Sequence, residues 1–150
     1  MDNNFTLDLS DEAATLQFGA LLAKVIRPNL TLYLHGDLGA GKTTLIKKIC
    51  AQLGYSGEVC SPTYGLVNPY LIDNQEHTIY HSDWYRIKDL DELYDAGIED
   101  NLYAPNSTWL IEWPQVGMEI LMGFHVVDIE INHLENSRSY LITDYPLYTF

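Results

Sequence analysis

The amino-acid sequence predicts an α/β fold: one domain over residues 1–150, in three layers around a mixed β-sheet. Two observations carry this reading. Seven short apolar or alternating runs of strand length are separated by turn residues, and three of the intervals between them have helical periodicity. The composition allows the burial that such a sheet needs, with 47% hydrophobic and 19% charged residues in a chain of 150.

The elements follow in order. Phe5, Leu7 and Leu9 alternate with polar residues and predict a short strand. Ser10 suits a helix N-cap, and acidic residues at 11 and 12 suit the positive helix end, so a helix is expected over about 11–26, stopped by Pro28. Residues 30–35 form a compact apolar strand, and 36–41 a Gly-rich turn. A second helix is expected over about 42–53, with Leu45, Ile49 and Leu53 on one face and Gly54 as its stop. Residues 61–65 read as a loop, and 66–72 and 78–83 as strands joined by 73–76. A short acidic helix is expected over 89–96, ending at Gly97. A strand over 108–113 is ended by Pro114, and 124–131 and 139–143 suit a closing antiparallel pair.

Gly36-Asp37-Leu38-Gly39-Ala40-Gly41-Lys42-Thr43 satisfies the phosphate-loop spacing G-x-x-x-x-G-K-[ST], between an apolar strand and an amphipathic helix. Average composition produces this match in on the order of one in two hundred chains of this size. The fold expectation is therefore a P-loop NTPase-type domain. Glycine lets the backbone curl so that successive N–H groups face phosphate oxygens, and the helix N-terminus adds partial positive charge. Lys42 has the reach to meet terminal phosphates, and Thr43 can offer its hydroxyl to magnesium. The metal also needs a carboxylate at a neighbouring strand end. Asp83 and Glu112 both qualify, and their spacing leaves open which one serves the metal and which one positions water. No Asn-Lys pair occurs, so the guanine-reading N-K-x-D motif is absent and adenine is the expected base. Only Arg27, Arg86 and Arg138 are available for an Arg-rich lid, which argues against transfer to a second nucleotide, while a small-molecule phosphotransferase stays as one rival. A nucleotide-gated binding module with negligible turnover is the other rival.

Charge narrows the partners. The 8 basic and 21 acidic residues leave a net charge of −13, and five of the eight cations lie within residues 1–50. That distribution opposes unaided binding to nucleic acid or anionic membrane. No apolar run reaches membrane-spanning length, and Met1-Asp2-Asn3-Asn4 lacks a signal-peptide pattern. Cys50 and Cys60 match no metal spacing and read as half-buried free thiols in a reducing cytosol.

Four blocks now occur in a distinctive order: residues 36–44, Ser61-Pro62-Thr63-Tyr64, His81-Ser82-Asp83-Trp84-Tyr85-Arg86 and Leu110-Ile111-Glu112-Trp113-Pro114. With them the chain resembles, over about residues 11–112, the TsaE (YjeE) family of bacterial ATPases in tRNA threonylcarbamoyladenosine biosynthesis. Gln115 stands where many members carry Glu, and Trp84 where an aliphatic residue is usual. The resemblance implies a cytoplasmic, magnesium-dependent P-loop ATPase that converts ATP to ADP and phosphate. It implies a protein monomeric when alone, acting with a TsaB–TsaD-type complex and reaching tRNA only through it. By the same resemblance Lys42, Thr43 and Thr44 bind phosphate and metal, Thr63 is a nucleotide-sensing switch, and Asp83 assists hydrolysis. Glu112 becomes the metal-side carboxylate beside Thr43. Asp11 and Thr15 approach the base or ribose, and Arg138 stands in the last strand pair as a further nucleotide-binding residue.

Overall fold

The computed structural model describes residues 2–8, 12–24, 26–37, 39–62, 67–72, 76–121, 125–133 and 137–145. The strands are β1 (Asp2–Asp8), β2 (Leu30–His35), β3 (Val67–Ile72), β4 (His77–Asp83), β5 (Ser107–Glu112), β6 (His125–His133) and β7 (Ser137–Tyr145). The helices are α1 (Glu12–Ala23), α2 (Lys42–Gln52), α3 (Leu90–Asp95) and α4 (Glu99–Leu102), and a 3₁₀ turn covers Pro114–Gly117. All seven strands join one sheet in the order β1-β7-β6-β2-β5-β4-β3. β2 runs parallel to both β5 and β6, and β4 runs parallel to β5. The pairs β3–β4, β6–β7 and β1–β7 are antiparallel, so the sheet is mixed as predicted.

Period-two alternation distributes the core to both faces. Leu32 and Leu34 of β2, Leu110 of β5 and Ile129 of β6 pack with Phe18 and Leu22 of α1 and Leu45, Ile46 and Ile49 of α2. Tyr33, Trp109, Ile111 and Val126 point the other way, toward Trp84, Leu93, Ile98 and Leu102. Three layers result. Every residue of β5 is buried, as expected of a parallel strand covered on both faces. Pro69 sits in β3, the edge strand of the sheet, where proline is tolerated.

The structure corrects several local expectations. α1 ends at Ala23, short of residue 26, and its expected start at Ser10 and Asp11 lies outside the described residues. β5 stops at Glu112, because Trp113 takes φ 57 and ψ 57 and turns the chain out of the sheet before Pro114. α4 and the 3₁₀ turn are too short for periodicity to reveal. Asp89 caps α3, accepting the Glu92 N–H at 3.0 Å, and the Glu92 carboxylate accepts the Lys88 N–H at 3.0 Å. Trp84 is core, at 1% exposure.

The two thiols also differ from the expectation that both are half-buried. Cys50 is buried on the core face of α2 and Cys60 is exposed. Burial pushes the Cys50 thiol up to about 12, far from the reactive thiolate. A water-soluble aromatic disulfide is therefore expected to modify only Cys60 in the native chain, and both thiols once urea unfolds it. Equal labelling rates at the two positions in native protein would contradict this burial pattern.

Candidate functional site

The loop after β2 owes its path to glycine. Gly36 has φ 154, and a Cβ there would lie 2.8 Å from the Ile131 carbonyl oxygen and 3.1 Å from the Ala40 Cβ. Gly39 and Gly41 adopt φ 80 and 104. Gly41 is the N-cap of α2 and makes no side-chain cap, so the first N–H groups of that helix remain available to an anion. Lys42 is only 5% exposed. Its Nζ donates to the carbonyls of Gly36 at 2.5 Å and Asp37 at 2.9 Å, and lies 4.3 Å from the centroid of the Trp113 ring. Burial lowers the Lys42 pKa, opposed by the charges of Glu112, Asp83 and Asp37.

Two carboxylates face this loop. Parallel pairing sets Asp83, at the end of β4, directly beside Glu112, at the end of β5. The Thr43 hydroxyl lies 3.0 Å from each oxygen of Glu112 and can donate to either. Asp83 is held separately, accepting from Ser61 Oγ at 2.8 Å and from the Tyr85 N–H at 2.9 Å. Glu112 Oε2 also lies 2.6 Å from His81 Nε2. A carboxylate only accepts, so Nε2 carries the hydrogen there. The Tyr70 hydroxyl lies 3.0 Å from His81 Nδ1 and 3.1 Å from the Cys60 carbonyl, and its one hydrogen can be donated to either. Burial pushes the Tyr70 phenol up to about 12.

Loop and carboxylates enclose a cleft of about 350 Å³. It gathers Gly39, Gly41, Lys42, Thr43 and Thr44 on one side and Asp83 and Glu112 on the other, with Tyr85 and Trp113 at its edge. The rings of Tyr85 and Trp113 are 4.9 Å apart. Of the other predicted residues, Asp37 supplies a carbonyl to Lys42 and Ala40 is buried beneath the loop. Asp11, Leu38 and Thr63 lie outside the described residues, as do the side chains of Thr15 in α1 and Arg138 in β7. Arg138 pairs in register with Leu7 and His133, two strands away from β2. Gln115 reaches His35 Nδ1 at 3.1 Å at the end of β2. Sequence reasoning passed over His81, Tyr70 and Ser61 as site residues. A signal for His81 was present, since it stands two residues before Asp83 and so on the same face of one strand.

A hydroxyl and a carboxylate are hard oxygen donors of the kind magnesium takes, usually together with phosphates and water. Among the described residues no group of three or more His, Cys, Asp or Glu could hold a metal ion unaided. The donor set therefore fits magnesium brought in with a phosphate ligand, and does not fit a closed protein cage.

The family model of threonylcarbamoyl adenosine biosynthesis protein TsaE matches residues 9–140. A Haemophilus influenzae protein named tRNA threonylcarbamoyladenosine biosynthesis protein TsaE is 37% identical over 141 residues, covering 91% of this chain and 87% of its own. A protein of the same name from Rickettsia conorii is 34% identical over 131 residues, covering 87% and 72%. The crystal structure of YdiB from Bacillus subtilis superposes with a TM-score of 0.68 at 23% identity, over 96% of this chain and 87% of that one, a likeness of fold.

The loop geometry makes a graded expectation. Gly39→Ala meets no atom within 4 Å and bears only the backbone cost of its positive φ, about 1–2 kcal/mol. Gly36→Ala adds a collision with backbone and should lower the unfolding free energy by about 2–4 kcal/mol. Urea denaturation of both variants checks the order, and equal losses would contradict it.

Proposed function

The chain belongs to the TsaE family of threonylcarbamoyl adenosine biosynthesis proteins, and from that premise we propose a magnesium-dependent ATPase. It serves threonylcarbamoyladenosine formation in tRNA together with a TsaB–TsaD-type complex. The observation that most supports hydrolysis is the Thr43 hydroxyl set 3.0 Å from both Glu112 oxygens, at the foot of an uncapped helix N-terminus.

In this reading the N–H groups of residues 39 and 41–43 bind the phosphates of ATP, the Ala40 N–H being held by the Asp37 carbonyl at 3.0 Å. An ammonium has three donors; Gly36 and Asp37 take two of those of Lys42, and the third serves the terminal phosphates. Thr43 and Glu112 hold magnesium, which supplies charge neutralisation on the phosphate oxygens when bound. Asp83, fixed by Ser61 and by the Tyr85 N–H, orients the attacking water, and ATP with water becomes ADP and phosphate. Trp113, with Tyr85 against its ring, covers Lys42 and limits bulk water there. Asp11, Thr15 and Arg138 complete the nucleotide site, Thr44 assists at the phosphates, and Thr63 senses the nucleotide state.

Charge supports an indirect route to tRNA. A chain at −13 with few cations beyond residue 50 has little counterion release to gain from RNA, so protein contact delivers its effect. We place it in the cytoplasm as a monomer when alone. Among the described residues no helix is long and apolar enough to cross a membrane.

Two measurements test this reading. Lys42→Ala should lower kcat/KM for ATP about 100-fold or more, roughly 3 kcal/mol of transition-state stabilisation. Unchanged hydrolysis in the folded variant overturns the phosphate-loop role. Calorimetry against a TsaB–TsaD pair should give different affinities with an ATP analogue and with ADP, and Thr63→Ala should abolish the difference. Equal affinity in all nucleotide states rejects the switch, and tight tRNA binding by the isolated chain at physiological salt rejects the indirect route.

A further inference from the structure

The hydrogen bonds of Glu112 lead away from the cleft into the core. Glu112 is 3% exposed, His81 0% and Tyr70 3%, so water does not readily replace a partner lost among them. Tyr70 meets both the His81 ring nitrogen and the Cys60 carbonyl, and Asn68 Nδ2 donates to that same carbonyl at 2.9 Å. The next residue, Ser61, donates directly to Asp83. One short stretch, Cys60 and Ser61, is thus tied to both strand-end carboxylates: to Asp83 by one bond, and to Glu112 through two buried side chains.

We propose that His81 and Tyr70 are positioning residues that hold the Glu112 carboxylate in the orientation needed for a divalent cation and couple it to the Cys60–Ser61 segment. The inference rests on Glu112 being the metal-side carboxylate. Its physical reason is directional. A carboxylate with Thr43 as its sole side-chain partner can rotate about its last torsion. A second donor, 2.6 Å away on a ring that cannot turn, removes that freedom. The ring cannot turn because Tyr70 engages its other nitrogen, and Tyr70 is itself anchored on Cys60. A core histidine kept only for packing needs no carboxylate on one nitrogen and no anchored phenol on the other.

The test uses the full chain with Mn²⁺ as probe. Metal-free nucleotide affinity is measured by calorimetry, and Mn²⁺ affinity at saturating ATP analogue by electron paramagnetic resonance. His81→Leu should weaken Mn²⁺ by about 10–100-fold, the usual effect of losing a partner that orients a metal ligand, with metal-free nucleotide affinity unchanged. His81→Gln, which keeps a donor near the Nε2 position, should restore most of the loss. Tyr70→Phe should weaken Mn²⁺ in the same direction by a smaller factor. A folded His81→Leu that holds Mn²⁺ as well as wild type overturns the proposal, as does one that loses metal-free nucleotide to the same extent. Should His81→Leu fail to fold, Tyr70→Phe decides: reduced Mn²⁺ affinity supports the coupling and unchanged affinity overturns it. Wild-type protein that takes no Mn²⁺ beside the nucleotide overturns the metal reading of Glu112 and this inference with it. Wild-type binding that persists unaltered in all variants overturns this inference alone.

Discussion

The site exists because β2, β5 and β4 run parallel. Parallel strands finish at the same edge of a sheet, so the loop after β2 and the acids that end β4 and β5 must converge there. The register then selects positions. Leu34 stands beside Glu112 and Glu112 beside Asp83, which brings two carboxylates up to a helix N-terminus. An antiparallel β5 would have sent Glu112 to the far edge.

Bringing two acids and a lysine into a half-closed cleft is electrostatically costly, and the fold offsets the cost locally. Lys42 loses hydration on burial but gains two carbonyls, an aromatic face and three nearby negative charges. Each carboxylate has its own donors: Ser61 and a backbone N–H for Asp83, Thr43 and His81 for Glu112. The two acids therefore sit side by side in the ladder without sharing a partner. That separation suits the two different tasks proposed for them.

The two faces of the sheet divide the labour. One packs α1 and α2 through mainly aliphatic residues and fixes where the helix N-terminus points. The other is more aromatic and carries Trp84 and Trp109 under α3, α4 and the turn after Trp113. Trp113 belongs to the cleft and Trp84 to the core. The left-handed backbone at Trp113 separates them, because it swings that ring out of β5 and over Lys42.

How much was legible in the sequence follows the range of each interaction. Seven strands, the three longer helices and the Gly-rich loop are written in local periodicity and local backbone preference, and all stand in the structure near their expected bounds. The phosphate loop is legible because curling a backbone and starting a helix are matters of adjacent residues. α4 and the turn at Pro114–Gly117 escaped because a single turn of helix leaves no period to read. The pairing of β1 with β7 joins the two ends of the chain, which no local pattern encodes. By spacing Asp83 and Glu112 were equivalent as strand-end acids, and only the family resemblance favoured Glu112; the tertiary structure sets Glu112 against Thr43, 69 residues away in sequence. His81 and Tyr70 looked like ordinary strand residues for the same reason. Their meaning lies in a carboxylate 31 residues beyond His81, and a one-dimensional pattern cannot specify which buried groups will share a hydrogen bond across a sheet.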